Sequence, residues 1–167
     1  MTVNGVFFAA SVQPSPLTTT TPGAYAQLNG SSSGDADYDN FLNTVAYGGG
    51  PSTSITLGGG GLVDGLAYQL QIWFVEERAL NNLDQRVMTY GDGNGNDASL
   101  GNTAGAQLGQ YAVGSFIADG TDQTLTLVAN GFGNSHLTAY QIRQIPEPST
   151  ALLAGLAGIA LLRRRRA

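Results

Sequence analysis

The stretch Leu66-Ala67-Tyr68-Gln69-Leu70-Gln71-Ile72-Trp73-Phe74-Val75 carries the clearest structural signal in the chain. Leu66, Tyr68, Leu70, Ile72 and Phe74 fall on one side of a two-residue repeat, and Ala67, Gln69, Gln71, Trp73 and Val75 on the other. One face is wholly apolar and the other mixed, the pattern of a half-buried antiparallel strand. Asp64-Gly65 before it is a turn signal. Shorter alternating runs lie on either side: Thr53–Leu57, Gln85–Tyr90, Tyr111–Ile117, Gln123–Ala129 and Leu137–Arg143. Clusters of Gly, Asn and Asp separate them, as in Gly58–Gly61, Gly91–Gly95 and Asp119-Gly120. Short strands at such spacing predict an all-β sandwich or barrel rather than a parallel sheet. Residues 13–40, rich in Ser, Thr, Pro and Gly, read as loops. No segment before residue 149 has a helical period of useful length, and no solenoid-type repeat is present.

Composition narrows the chemistry. The 167 residues include no cysteine and one histidine, so a disulfide framework and a thiolate metal site are both excluded. The lone His136 also argues against a nucleophilic triad and reads as a surface residue at a strand start. Twelve carboxylates face seven arginines, for a net charge of −5. Four of those arginines sit in the last five residues, so the preceding body is more acidic still. Nucleic acid is not an expected partner, because phosphate neutralisation needs Lys and Arg.

Three sets of residues are candidates for function. Trp73, Gln71 and Tyr90 have the side chains that stack on and hydrogen-bond a sugar, with Tyr111 and Tyr140 as further aromatics; Trp73 packed in the second layer of the sandwich or under a loop is the plainer reading. Asp92, Asn94, Asn96 and Asp97 place oxygen atoms at alternate positions, as in the first half of a calcium loop. Asp97 stands where that loop needs glycine, and Thr103 where it needs a bidentate Glu, so a plain turn competes. Asp35, Asp37 and Asp39 form a second alternating group, with a solvated loop as its alternative. Glu76, Glu77 and Asp84 are the carboxylates a glycosidase would use; beside Arg78 and Arg86 they also read as a loop salt-bridge cluster. The expectation is a body without catalytic activity and without a required cofactor, with a structural calcium ion as an option.

The C-terminus has a different character. Ile145-Pro146-Glu147-Pro148-Ser149-Thr150 is followed by the apolar run Ala151–Leu162 and by Arg163, Arg164, Arg165 and Arg166. Twelve residues of helix span about 18 Å, short of the roughly 30 Å hydrocarbon core. Serine-side extension and snorkelling arginines narrow the gap. An arginine cluster at the end of an apolar helix resists translocation and stays in the cytoplasm. This ordered set, Pro146-Glu147-Pro148, apolar run and arginine block, resembles the PEP-CTERM sorting signal of Gram-negative bacteria, also catalogued as an ice-binding protein C-terminal domain. The resemblance implies recognition by an exosortase-type membrane protease, transient residence in the inner membrane and release to the cell surface or an exopolysaccharide matrix. No regular Thr ladder accompanies it, so ice binding is not inferred.

The body carries a second resemblance. Gly61–Phe74, Gly109-Gln110-Tyr111, Gly114–Asp119, Gln123–Leu127 and Ala139–Arg143 look like the galactose-binding-like jelly-roll domains of bacterial surface proteins. The expected organisation is therefore a jelly-roll-like antiparallel β-sandwich over 1–144 and a sorting signal with a short apolar helix over 145–167. Residues 1–13 lack the basic and apolar regions of a signal peptide. The expectation is that N-terminal strands and a signal peptide precede this start. The function expected is that of an exported surface or matrix protein whose body binds glycan or is structural; a carbohydrate-active enzyme is the alternative.

Overall fold

A computed structural model of the chain describes residues 2–3, 6–7, 16–19, 28, 30–76, 87–101, 108–130 and 133–146. Its regular elements are overwhelmingly strands. In chain order they are β1 (Thr2–Val3), β2 (Val6–Phe7), β3 (Leu17–Thr19), α1 (Ala36–Leu42), β4 (Ala46–Gly48), β5 (Ser52–Leu57) and β6 (Ala67–Phe74). Then follow β7 (Val87–Gly91), β8 (Asp97–Gly101), β9 (Gln110–Ile117), β10 (Gln123–Asn130), β11 (Ser135–Leu137) and β12 (Ala139–Gln144). The expected apolar helix at 151–162 lies outside the described residues.

The strands pair antiparallel throughout, in a four-stranded sheet β5-β10-β7-β8, two three-stranded sheets β12-β6-β9 and β11-β4-β3, and the β1-β2 hairpin. The alternation in β6 is reproduced residue by residue: Tyr68, Leu70, Ile72 and Phe74 are buried, and the residues between them are partly exposed. Strand β10 does the same with Leu125, Leu127 and Ala129. The inner faces of β6 and β10, with Ile55 and Leu57 of β5 and Met88 and Tyr90 of β7, form one apolar core. Leu17, Ala46 and Leu137 of the third sheet extend it. Burying such side chains, at about 1.5–3 kcal/mol each, is the main force holding the sheets together.

Two sequence readings are corrected. The expected strand Leu137–Arg143 is two strands, because the chain changes sheet at Thr138. The Thr138 N–H donates to the Trp73 carbonyl (2.9 Å), and the Thr138 hydroxyl accepts from the Val75 N–H (3.1 Å). β11 therefore pairs with β4, while β12 pairs with β6. The segment 13–40 holds β3 and the start of α1 rather than loops alone. Asp35 caps α1, accepting from the Asp37 and Tyr38 N–H groups, which satisfies two of the helix's orphan donors. Phe41 and Leu42 anchor the helix in a second apolar cluster with Leu28 and Val75.

A close approach fixes the start of β9. Gly109 has φ 84°, and a Cβ there would meet Val75 Cγ2 at 2.6 Å and the Phe74 carbonyl at 2.7 Å. Only glycine meets both constraints.

Candidate functional site

The outer face of the β12-β6-β9 sheet is built by register. Trp73 lies between Ala139 and Tyr111, Gln71 between Gln141 and Val113, and Gln69 between Arg143 and Ser115. Ala67 pairs with Ile117, and its carbonyl accepts the Ile145 N–H at 2.8 Å. Directly paired residues in an antiparallel ladder point to the same side. All these side chains therefore share the face opposite Tyr68, Leu70, Ile72 and Phe74.

This face is open at β9. Tyr111 is 62 % exposed, Val113 50 % and Ile117 69 %. Trp73 beside Tyr111 is partly buried, and its ring meets Phe41 of α1 edge-on at 5.8 Å. The helix thus supports the indole at one end of the face, as the plainer sequence reading of Trp73 anticipated in part. Glutamines fill the middle, and Arg143 Nε donates to Gln141 Oε1 at 3.0 Å. An aromatic pair beside a field of amide donors and acceptors can stack on a sugar ring and hydrogen-bond its hydroxyls.

Tyr90 is not on this face. It lies in the core, 2 % exposed, with its hydroxyl donating to the His136 carbonyl at 2.8 Å. Burial pushes its phenol well above the usual tyrosine range. Tyr140 is half-buried against the same core. Burial raises its phenol too.

His136 is corrected from a surface residue to a buried one. It is 1 % exposed, and its ring stacks on Phe74 at 4.9 Å. Every residue of β11 is buried, because that short strand is covered on both sides and shows no alternation.

A cleft of about 540 Å³ lies between β9 and the β7–β8 hairpin, and Val113 and Ser115 of the outer face also line it. Leu70, Ile72 and Leu125 form its floor, and Asp92, Asn96 and Asp97 stand at its rim. The hairpin loop is a self-capped turn. Asp92 accepts from the Asn94 N–H (2.7 Å), the Asn96 N–H (3.3 Å) and Asn96 Nδ2 (2.6 Å). The Asn96 side chain and the Asn94 backbone hold the Asp92 carboxyl below the usual carboxylate range. Asp97 is the first residue of β8. A calcium ion at Asp92, Asn94, Asn96 and Asp97 would have to displace these donors. Among the described residues no three acidic, His or Cys side chains stand together as a metal-ligating group.

Asp39 accepts from the Ser32 and Ser33 hydroxyls and the Ser33 N–H, which hold its carboxyl below the usual range. Asp35, Asp37 and Asp39 thus sit at a helix start, where carboxylates meet the helix dipole favourably. Glu76 is buried just beyond β6. Glu77, Asp84, Arg78, Arg86 and Thr103 lie outside the described residues, as do Glu147, Pro148 and Arg163–Arg166.

Residues 144–166 match the PEP-CTERM protein-sorting motif. Proteins carrying it are exported and sorted through an exosortase, a membrane protease, with transient passage through the membrane. The matched residues begin inside the fold: Gln144 is the last residue of β12, paired with Tyr68, and Ile145 is bonded to Ala67. No curated protein matches the chain. The resemblances of the body to galactose-binding-like domains and of the tail to an ice-binding domain have no counterpart in these comparisons. Among the described residues no helix is long and apolar enough to cross a membrane; the apolar run 151–162 is not among them.

Proposed function

We propose that the chain is an exported protein of the bacterial cell surface or extracellular matrix, and that its body is a non-catalytic, jelly-roll-like β-sandwich that binds polysaccharide. The sorting motif at 144–166 carries the first half of this reading. The outer face of β12-β6-β9, with Trp73, Tyr111 and Gln71 side by side, supports the second. The second apolar cluster uses part of the Trp73 ring, but Tyr111 and Gln71 lie outside the core clusters. Tyr111 in particular leaves an aromatic ring in water, where it has apolar surface and a polar tip to offer a ligand.

The sorting half is tested by intact mass and C-terminal peptide mapping of the protein recovered from its own host, fraction by fraction. The expected species at the surface ends near Pro148 and lacks Arg163–Arg166. A chain ending at Ala167 in the membrane fraction would make the tail a permanent anchor and overturn the sorting reading. The alternative of a carbohydrate-active enzyme would rest on Glu76, Glu77 or Asp84. It would be favoured by sugar release that a single carboxylate-to-amide change abolishes.

A further inference from the structure

Charge on the outer face singles out a class of polysaccharide. The chain has twelve carboxylates, yet none stands at a paired position of this face. Its register positions are Ala67, Gln69, Gln71 and Trp73 on β6, Tyr111, Val113, Ser115 and Ile117 on β9, and Ala139, Gln141 and Arg143 on β12. The single charge among them is positive. Arg143 is also the one arginine among the described residues, and the sequence has no lysine. An acidic protein has thus placed a cation on a sheet face whose paired positions carry no acid.

The guanidinium is held for recognition. Its Nε–H is fixed by Gln141 Oε1 at 3.0 Å, and among the described residues its Nη groups make no hydrogen bond. A planar fork with donors to spare fits a carboxylate. Gln69 and Ser115 lie in the same row and can bond neighbouring hydroxyls. The Trp73–Tyr111 row is four residues further along the strands, about 13–14 Å away at the usual rise. A ligand reaching both the rings and the cation must therefore be an extended chain of sugars.

We propose that the outer face of the β12-β6-β9 sheet binds an anionic polysaccharide of the uronate type, with Arg143 taking a carboxylate and Tyr111 and Trp73 stacking on sugar rings further along the same chain. This rests on the reading of that face as the polysaccharide-binding surface. Carboxylates elsewhere on the molecule repel such a polymer and confine it to this face.

Immobilised polygalacturonate and an immobilised neutral β-glucan, loaded with the full chain in mild detergent at neutral pH, separate the possibilities. Wild type is expected to be retained on the polyuronate more strongly than on the neutral glucan. R143Q is expected to lose about fivefold to tenfold in affinity for the polyuronate alone, the effect of one exposed charge-assisted contact. R143K is expected to recover part of that loss, and Y111A to weaken retention on whichever polymer binds. Arg143 is exposed, so the thermal midpoint of R143Q should stay at the wild-type value and exclude misfolding as the cause. Equal retention of wild type on both polymers, or no effect of R143Q, would overturn the anionic preference. In that case a loss in Y111A would leave the polysaccharide reading standing. No retention of wild type on either matrix would overturn both.

Discussion

Strands β6 and β9 lie side by side in one sheet and share a core, yet they divide their residues differently. β6 follows the rule for a half-buried strand, with Tyr68, Leu70, Ile72 and Phe74 inward and Gln69 and Gln71 outward. β9 turns Ala112 and Phe116 inward but leaves Tyr111, Val113 and Ile117 facing water. Isolated exposed apolar residues need no explanation, but three on one face of an edge strand form a patch. They make the edge a liability unless something covers it. The core explains the inner residues of both strands. The outer residues of β9 contribute little to it, and a ligand is the simplest reason for them.

Substitutions on the two faces should therefore separate stability from binding. The largest effect is expected inside: Phe74→Ala removes a fully buried ring that also stacks on His136, and should cost about 3–5 kcal/mol in chemical denaturation. Val113→Ser on the outer face should cost under about 1 kcal/mol. Comparable losses at the two positions would mean that the outer face is part of the core after all.

Tyr90→Phe gives a smaller effect whose size depends on pH. At neutral pH the variant loses the bond to the His136 carbonyl and should be destabilised by about 1 kcal/mol. The raised phenol of Tyr90 contributes stability in full below about pH 10, where the unfolded chain begins to ionise. That contribution is lost as pH rises towards the folded value. Phenylalanine does not ionise, so the deficit should shrink in alkaline denaturation. A deficit that stays constant above pH 10 would contradict the burial of this ring.

The smallest effect belongs to the exposed loops. Asp39 and Asp92 have carboxyls held below the usual range by hydrogen bonds. Each adds stability above the ordinary carboxylate pKa and loses it as pH falls through the lowered one. Both lie at the surface and are only partly buried, so Asp39→Asn and Asp92→Asn should shift acid unfolding only slightly and leave the neutral midpoint nearly unchanged. A large shift at pH 7 for Asp92→Asn alone would point to a role for this loop beyond its turn.

How far the sequence could be read follows from these forces. β6 and β10 were legible because each has one dry face, which writes a period of two into the residue order. β8 was not, since Asp97-Ala98-Ser99-Leu100-Gly101 buries little and looks like the turn before it. The helix α1 was missed because seven residues show no period, although Asp35 ahead of them is a good cap. Thr138 looks like any strand residue, and only its bonds to Trp73 and Val75 reveal the change of sheet. Among the site residues, Trp73 and Gln71 were legible from alternation within one strand. Their neighbours Tyr111 and Arg143 come from β9 and β12, and only strand pairing brings them together. Tyr90 has the same chemistry as Tyr111, and nothing local distinguishes the buried ring from the exposed one. The tail was legible throughout because its elements are contiguous and need no fold to be read.

The outer face is tested most directly by the double variant Q71A/Y111A, which spares the packing of Trp73 on Phe41, with polysaccharide affinity and thermal midpoint measured on the same samples. The expected result is a loss of tenfold or more in affinity, about 1.4 kcal/mol, with a midpoint within a few degrees of wild type. Unchanged affinity in a folded double variant would contradict the account, because the sheet face that carries it would then have no part in binding.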